Sequence, residues 1–226
     1  MQTNVVQLRE LLREKFPGVR MTAADPAEKA AAVWPTGVAT LDMALGGGLP
    51  KGGITELQCA HRSCGSALVL TKILDQIAAA NQIAVLIDGQ DSFDPAGCAE
   101  AALRHLLWVR CRDAEQAFKA ADVVLRDANL SFVVLDLALN SPAQLRKIPA
   151  TTWFRFQRIV EQTMTTLLVV TPQKLVSGAD ARVVLKQRFN LNALDRTEEE
   201  LLRALRVEGE VPRSGQRSET MAAEAG

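Results

Sequence analysis

The chain has 226 residues, 48% of them hydrophobic and 23% charged, enough to bury one full core with little left for a second. Its 26 basic residues balance 26 acidic ones, so no global field holds it on nucleic acid or an anionic membrane, and any such contact must be local. No apolar run approaches the roughly 20 residues of a membrane span, and the opening MQTNVVQLRELLREKF carries charges where a secretory leader is apolar, so a soluble cytoplasmic protein is expected.

Val5, Leu8, Leu11, Leu12 and Phe16 recur at helical spacing, which predicts an amphipathic helix over 1–17, ended by Pro17-Gly18. That stripe must be buried somewhere, which makes Val5, Leu8, Leu12 and Phe16 candidate interface residues. Residues 18–35 are rich in Ala, Asp and Pro without a period and read as a linker. From Thr36 short apolar runs alternate with helical patterns. ITELQC (54–59) precedes a helix around 66–80, and IAVLID (83–88) is followed by LLWV (106–109). A helix near 114–128 leads to SFVVLDL (131–137), and a helix over about 151–164 leads to TLLVVT (166–171). Strand and helix alternating in this way predict an α/β fold with an open, mostly parallel sheet flanked by helices. RVVLKQRFNL (182–191) alternates apolar and polar residues, as in a strand with one wet, basic face, and is expected to extend the sheet antiparallel. Residues 193–206 permit a short helix after Thr197, while 205–211 fits an extended segment equally well. The core is placed at 36–206 and a disordered tail at 207–226, where Gly, Ser, Ala and charge dominate.

A strand, a glycine-containing loop and a helix at 54–80 form the setting of a phosphate-binding loop, in which backbone N–H groups and the helix N-terminus receive phosphate oxygens. The window AHRSCGSA (60–67) should read G-x-x-x-x-G-K-[S/T] but has Ala60 for the first glycine, Ser66 for the lysine and Ala67 for the magnesium-binding hydroxyl. Without that cation and that ligand, tight Mg-ATP binding is not expected and no cofactor is assigned. Arg62 offers a substitute charge, and the N–H groups after Gly65 leave room for a weakly held anion; the other reading is a structural vestige. GGGLPKGG (46–53) precedes its strand, so a dinucleotide fingerprint fails on context. Cys59, Cys64, Cys98 and Cys111 show neither a C-x-x-C pair nor a disulfide-framework spacing, which predicts reduced thiols. Cys59, His61 and Cys64 have no fourth ligand nearby, so no metal is expected.

TGVATLDMALGGGLPKGGITELQ (36–58) and IDGQDSFDPAG (87–97) resemble, in order and spacing, the segments of bacterial RecA before its phosphate loop and after its next strand. LSFVVLD (130–136) then falls on the Walker B strand with Asp136 at the magnesium-associated aspartate, and VVTPQ (169–173) on a strand ending in a nucleotide-sensing glutamine, Gln173. The resemblance makes Arg62, Ser63, Gly65, Ser66, Asp136 and Gln173 the vestigial nucleotide site; Asp136 also fits a residue that caps a turn. It puts Gln90 where RecA has the glutamate that activates water. An amide cannot accept that proton, and losing a general base costs ~10²–10⁴ in rate. With Ser66, Ala67 and Gln90 all degenerate, the resemblance implies a pseudo-ATPase. RecA's two DNA-binding loops correspond to residues near 138–150 and 174–181, so Arg146, Lys147 and Lys174, with Arg182, Lys186 and Arg188 beside them, are candidate contacts to single-stranded DNA; a solvated strand face explains the same charges.

More narrowly, KIPATTWFRFQRIVE (147–161) and EQAFKAADVVLRDANLSFVVLDL (115–137) are similar to short RecA-like proteins of the ImuA type. That resemblance implies an inactive adaptor in bacterial DNA damage tolerance, the translesion branch of the SOS response, docking onto a Y-family polymerase-associated protein or onto RecA. Two alternatives stay open: an unconventional ATP- and DNA-binding enzyme using Arg62, and a regulator of RecA filaments. Trp153, Phe154 and Phe156 fit base stacking or core and interface anchoring, and Trp153 and Phe154 join the interface candidates.

Overall fold

In the computed structural model, which describes residues 2–16 and 33–210 without the side chains of residues 2–5 and 210, one seven-stranded sheet is flanked on both faces by helices. The continuous apolar runs supply its middle. β4 (Ala84–Asp88), β6 (Phe132–Asp136) and β7 (Thr166–Thr171) are buried along nearly their whole length, as strands covered on both faces must be. β3 (Ile54–Cys59) pairs with the far side of β7, and β5 (Leu106–Arg110) with the far side of β4. Across the sheet the order is β5-β4-β6-β7-β3, then β8 (Ala181–Leu185) and β9 (Val207–Glu210). Every neighbouring pair is parallel except β8 and β9. The expected mostly parallel α/β architecture is therefore present. β1 (Val33–Trp34) and β2 (Leu49–Pro50) make a separate antiparallel ribbon, so the end of the expected linker is a short strand.

Alternate residues of each strand feed two cores. Val85, Val133 and Val169 face α5 (Ala114–Val124) and α7 (Ala150–Thr163), whereas Leu86, Val134 and Leu168 face α3 (Ser66–Ala79). Each such buried aliphatic side chain stabilises the fold by about 1.5–3 kcal/mol. α2 (Ala39–Ala44) and α4 (Glu100–Leu103) border the α3 side, and α6 (Pro142–Leu145) lies between β6 and α7.

Three expectations are corrected. β8 keeps the alternating burial predicted for it but stops at Leu185 and runs parallel to β3, with Arg182 opposite Glu56; the antiparallel member is β9. β9 occupies the start of the stretch read as a disordered tail, while residues 211–226 lie outside the described residues. Its Val-Glu-Gly-Glu sequence has no apolar period to betray a strand, and Gly209 is needed because a Cβ there would come within 2.7 Å of the Ala44 carbonyl oxygen. α8 (Glu198–Arg203) realises the helical alternative, started by a capping box between Thr197 and Glu200.

The third correction concerns the N-terminal helix. α1 (Gln2–Lys15) folds back on its own domain: Leu12 is fully buried in the α5–α7 core, Leu8 and Phe16 pack against it, and Arg9 Nε pairs with the buried carboxylate of Asp127 at 3.1 Å. Leu12 is thus a core residue, whereas Leu8 and Phe16 are partly buried against the same core. Val5 falls in α1, but its side chain lies outside the described residues. Trp153 is likewise internal, edge-on to Phe118 at 5.1 Å, and Phe156 stacks on the same ring at 5.9 Å. Phe154, on the opposite face of α7, is 57% exposed. Among the described residues no helix is long and apolar enough to cross a membrane.

Candidate functional site

β3 ends at Cys59, the chain turns through Ala60–Gly65, and α3 begins at Ser66. Gly65 makes the turn with φ +91°, a backbone state that favours glycine. It is also closely covered, since a Cβ there would lie 2.7 Å from Leu205 and 3.0 Å from Phe189. The Phe189 N–H donates to the Ser63 carbonyl at 2.9 Å, and Lys72 of α3 pairs with Glu198 of α8. The segment after β8 therefore straps down the loop and the start of α3.

On the other side of the loop a cavity of about 570 Å³ opens at the carboxyl ends of the parallel strands, where ligands of such sheets bind. Ala60, Arg62, Ser66 and Ala67 line one wall and Asp136 the floor. Asp136 accepts a hydrogen bond from the Ala138 N–H at 2.9 Å. Burial, reinforced by the neighbouring charge of Asp88, pushes its carboxyl up to about 6. Asp88, opposite it on β4, is buried and accepts from the N–H groups of Ser92 and Phe93, each at 2.8 Å, and from Trp108 Nε1 at 3.3 Å. Asp88 thus builds the turn after β4. That turn aims Gln90 outward, where its Nε2 donates to the Arg112 carbonyl at 3.3 Å.

The sequence profile of the RecA N-terminal domain matches residues 8–146. This chain belongs to the RecA family. It is 30% identical to protein RecA of Picosynechococcus sp. over 131 residues, 57% of this chain and 37% of that protein. Similarity to protein RecA of Frankia alni is 37% over 105 residues, 45% of this chain and 30% of that protein, and protein RecA of Prochlorococcus marinus (strain MIT 9303) matches at 30% over 131 residues, 57% and 34% of the two chains. The chain spans about a third of the length of these curated relatives.

Within this RecA-like frame the site residues divide. Arg62, Ser66 and Asp136 share the cavity, whereas Gln90 and Gln173 do not line it, and Gln173 is exposed beyond β7. Ser63 and Gly65 face the strap instead. Among the basic candidates Arg146, Lys147, Lys174 and Arg188 are exposed, and the first three follow β6 and β7, which are adjacent strands. Lys186 pairs with Glu208 at 2.7 Å. Arg182 is not on a wet face: its Nε meets the fully buried Glu56 at 2.6 Å and its Nη2 donates to the Val176 carbonyl at 3.0 Å.

Glu56 itself was missed by sequence reasoning, although a glutamate inside the apolar run ITELQC was the available signal. It accepts from Thr171 Oγ1 at 3.1 Å and from the N–H groups of Leu175 and Val176 at 2.6 and 3.1 Å. Asp180 closes the same connection from its other end, accepting from the Ile54 N–H and from Gln157 Nε2. The loop between β7 and β8 is therefore pinned to the sheet by two carboxylates, the fully buried Glu56 and the partly buried Asp180. The loop after β6 is fixed as well, by Asn140 Nδ2 on the Gly89 carbonyl at 2.9 Å and by the Ser141–Gln144 capping box of α6.

Proposed function

We propose that this RecA-like chain no longer hydrolyses ATP and works as an adaptor of the ImuA type in bacterial DNA damage tolerance. It would dock onto a Y-family polymerase-associated partner or onto RecA. The observation that carries the reading is the state of the cavity: its loop presents Ser66 and Ala67 where lysine and a hydroxyl bind Mg-nucleotide, and Gln90 turns away to the Arg112 carbonyl. A fold kept while its engine is dismantled favours a role in assembly. With Leu12 of α1 buried in cis, docking falls to exposed apolar side chains of the core domain, among them Phe154 on α7 and Leu191 and Leu194 on the turn after β8, each leucine 82% exposed.

Two measurements test this. Incubation with Mg-ATP, with and without single-stranded DNA, is expected to release no phosphate above the blank. Turnover that disappears on Ser66→Ala would overturn the inactive reading. Capture of a purified Y-family polymerase relative is expected from the full chain and reduced at least tenfold by the pair Leu191→Asp and Leu194→Asp; equal capture by both proteins removes that docking surface.

A further inference from the structure

α7 buries Trp153, Phe156 and Val160 on one side, and its helical spacing fixes what the other side shows. After Ala150 its exposed positions are Thr151, Phe154, Arg155, Arg158 and Gln162, with no carboxylate among them. Phe154 and Arg158 are one turn apart and share a face, with Arg155 beside them. The Phe154 ring is 57% exposed and rests beside Gly178 of the loop between β7 and β8, where a Cβ would lie 3.9 Å from its Cε1.

The charges around that ring do not cancel. Asp122 of α5 accepts from Arg155 Nε at 3.0 Å and from Arg126 Nε at 3.2 Å, so two guanidiniums share one carboxylate. Arg158 is exposed and has no hydrogen bond or ion pair among the described residues. Glu161, the acidic residue of α7, is partly buried and accepts from Gln157 Nε2 at 3.0 Å.

We propose that the outward face of α7 docks an acidic segment of a partner protein, whose apolar side chain covers Phe154 while its carboxylates meet Arg158 and Arg155.

A partner of this kind is what the adaptor reading above invokes, and its docking here rests on that reading. Aromatic and arginine side chains supply most of the energy of protein interfaces, and a guanidinium can grip a carboxylate through two parallel N–H groups. The surplus of guanidinium sets the sign of the partner, because a basic segment would place like charges against Arg158. Recognition of acidic motifs by clustered arginines is a general mode of peptide binding. A nucleic-acid strand asks instead for a line of cations along its phosphates. The outward face of α7 has two, and Arg155 is already held by Asp122 and over the Phe156 ring at 5.7 Å. That spacing suits the carboxylates of a short peptide.

The test presents the full chain, without nucleotide, to a phage library of short random peptides. Enriched sequences are expected to hold Asp or Glu around an aliphatic or aromatic residue; enrichment of neutral or basic sequences, or none at all, overturns the proposal. A fluorescein-labelled peptide of the most enriched sequence is then titrated by fluorescence polarisation. Phe154→Ala and Arg158→Glu are each expected to weaken its binding roughly tenfold or more, and unchanged affinity in both variants overturns the proposal. Both side chains are exposed, so urea midpoints should not move; if Arg158→Glu does unfold the chain, Arg158→Gln takes its place with the same expectation. Fluorescein-labelled oligo(dT) forms the nucleic-acid arm. Binding of that probe which the same substitutions abolish makes the face a nucleic-acid surface and overturns its assignment to a protein. Failure of the peptide arm removes this surface alone, since phosphate release with Mg-ATP tests the inactive reading separately.

Discussion

Glu56 and Arg182 lie opposite one another on β3 and β8 and form an ion pair of 2.6 Å, with the carboxylate fully buried beneath the loop that it organises. Taking one partner from a buried pair leaves an uncompensated charge, which costs about 3–5 kcal/mol. Arg182→Met is therefore expected to lower unfolding stability by roughly that amount in a urea titration. An arginine that served only to contact DNA would leave the midpoint where it was.

The cis packing of α1 makes a second prediction. Leu12→Ala opens a cavity in the α5–α7 core and is expected to cost about 2–5 kcal/mol, whereas the neighbouring and exposed Leu11→Ala should stay within about 0.5 kcal/mol. Parallel denaturant curves of the two variants check it. Equal effects would mean that the helix does not rest on the domain.

Asp136 gives a pH dependence with a definite sign. Its folded carboxyl is held near 6 against an ordinary 3.8, so between those values the native state binds a proton that the unfolded chain has lost. Stability should fall as the pH rises through this window, by up to about 3 kcal/mol, and level off above it. Asp136→Asn retains an acceptor for the Ala138 N–H and avoids the buried charge. It is expected to flatten the curve and to be the more stable protein at pH 7.5, as urea midpoints from pH 4 to 7.5 would show.

Gln90→Glu restores the carboxylate that RecA resemblance asks for, yet it restores it on a side chain pointing at Arg112. The single substitution is expected to leave phosphate release at the blank. Adding Ser66→Lys and Ala67→Thr should yield Mg-ATP binding by titration calorimetry before any hydrolysis appears, because those two positions line the cavity and position 90 does not.

Much of the fold was legible in local chemistry. The runs at 83–88, 131–136 and 166–171 have no polar face, so they could only be central strands, and the loop between ITELQC and its helix announced where an anion would have gone. What stayed hidden depends on partners remote in sequence. The direction of β8 is set by pairing with β3, some 126 residues earlier, and the amphipathic spacing of α1 says that Leu12 is buried without saying against what. Position 90 could be read as an amide, but its aim is fixed by the turn that Asp88 ties, which no spacing rule contains.

The strand order also carries a timetable. β3 is the first strand of the large sheet to leave a ribosome, yet both of its neighbours, β7 and β8, emerge more than a hundred residues later. Until then its two edges lack their native partners, and a nascent chain halted near residue 146 would hold β5, β4 and β6 as neighbours with β3 still unpaired. Such distant closure makes assembly slow and leaves the waiting segment exposed to any passing edge. β3 is therefore the strand of this sheet that waits longest for its partners.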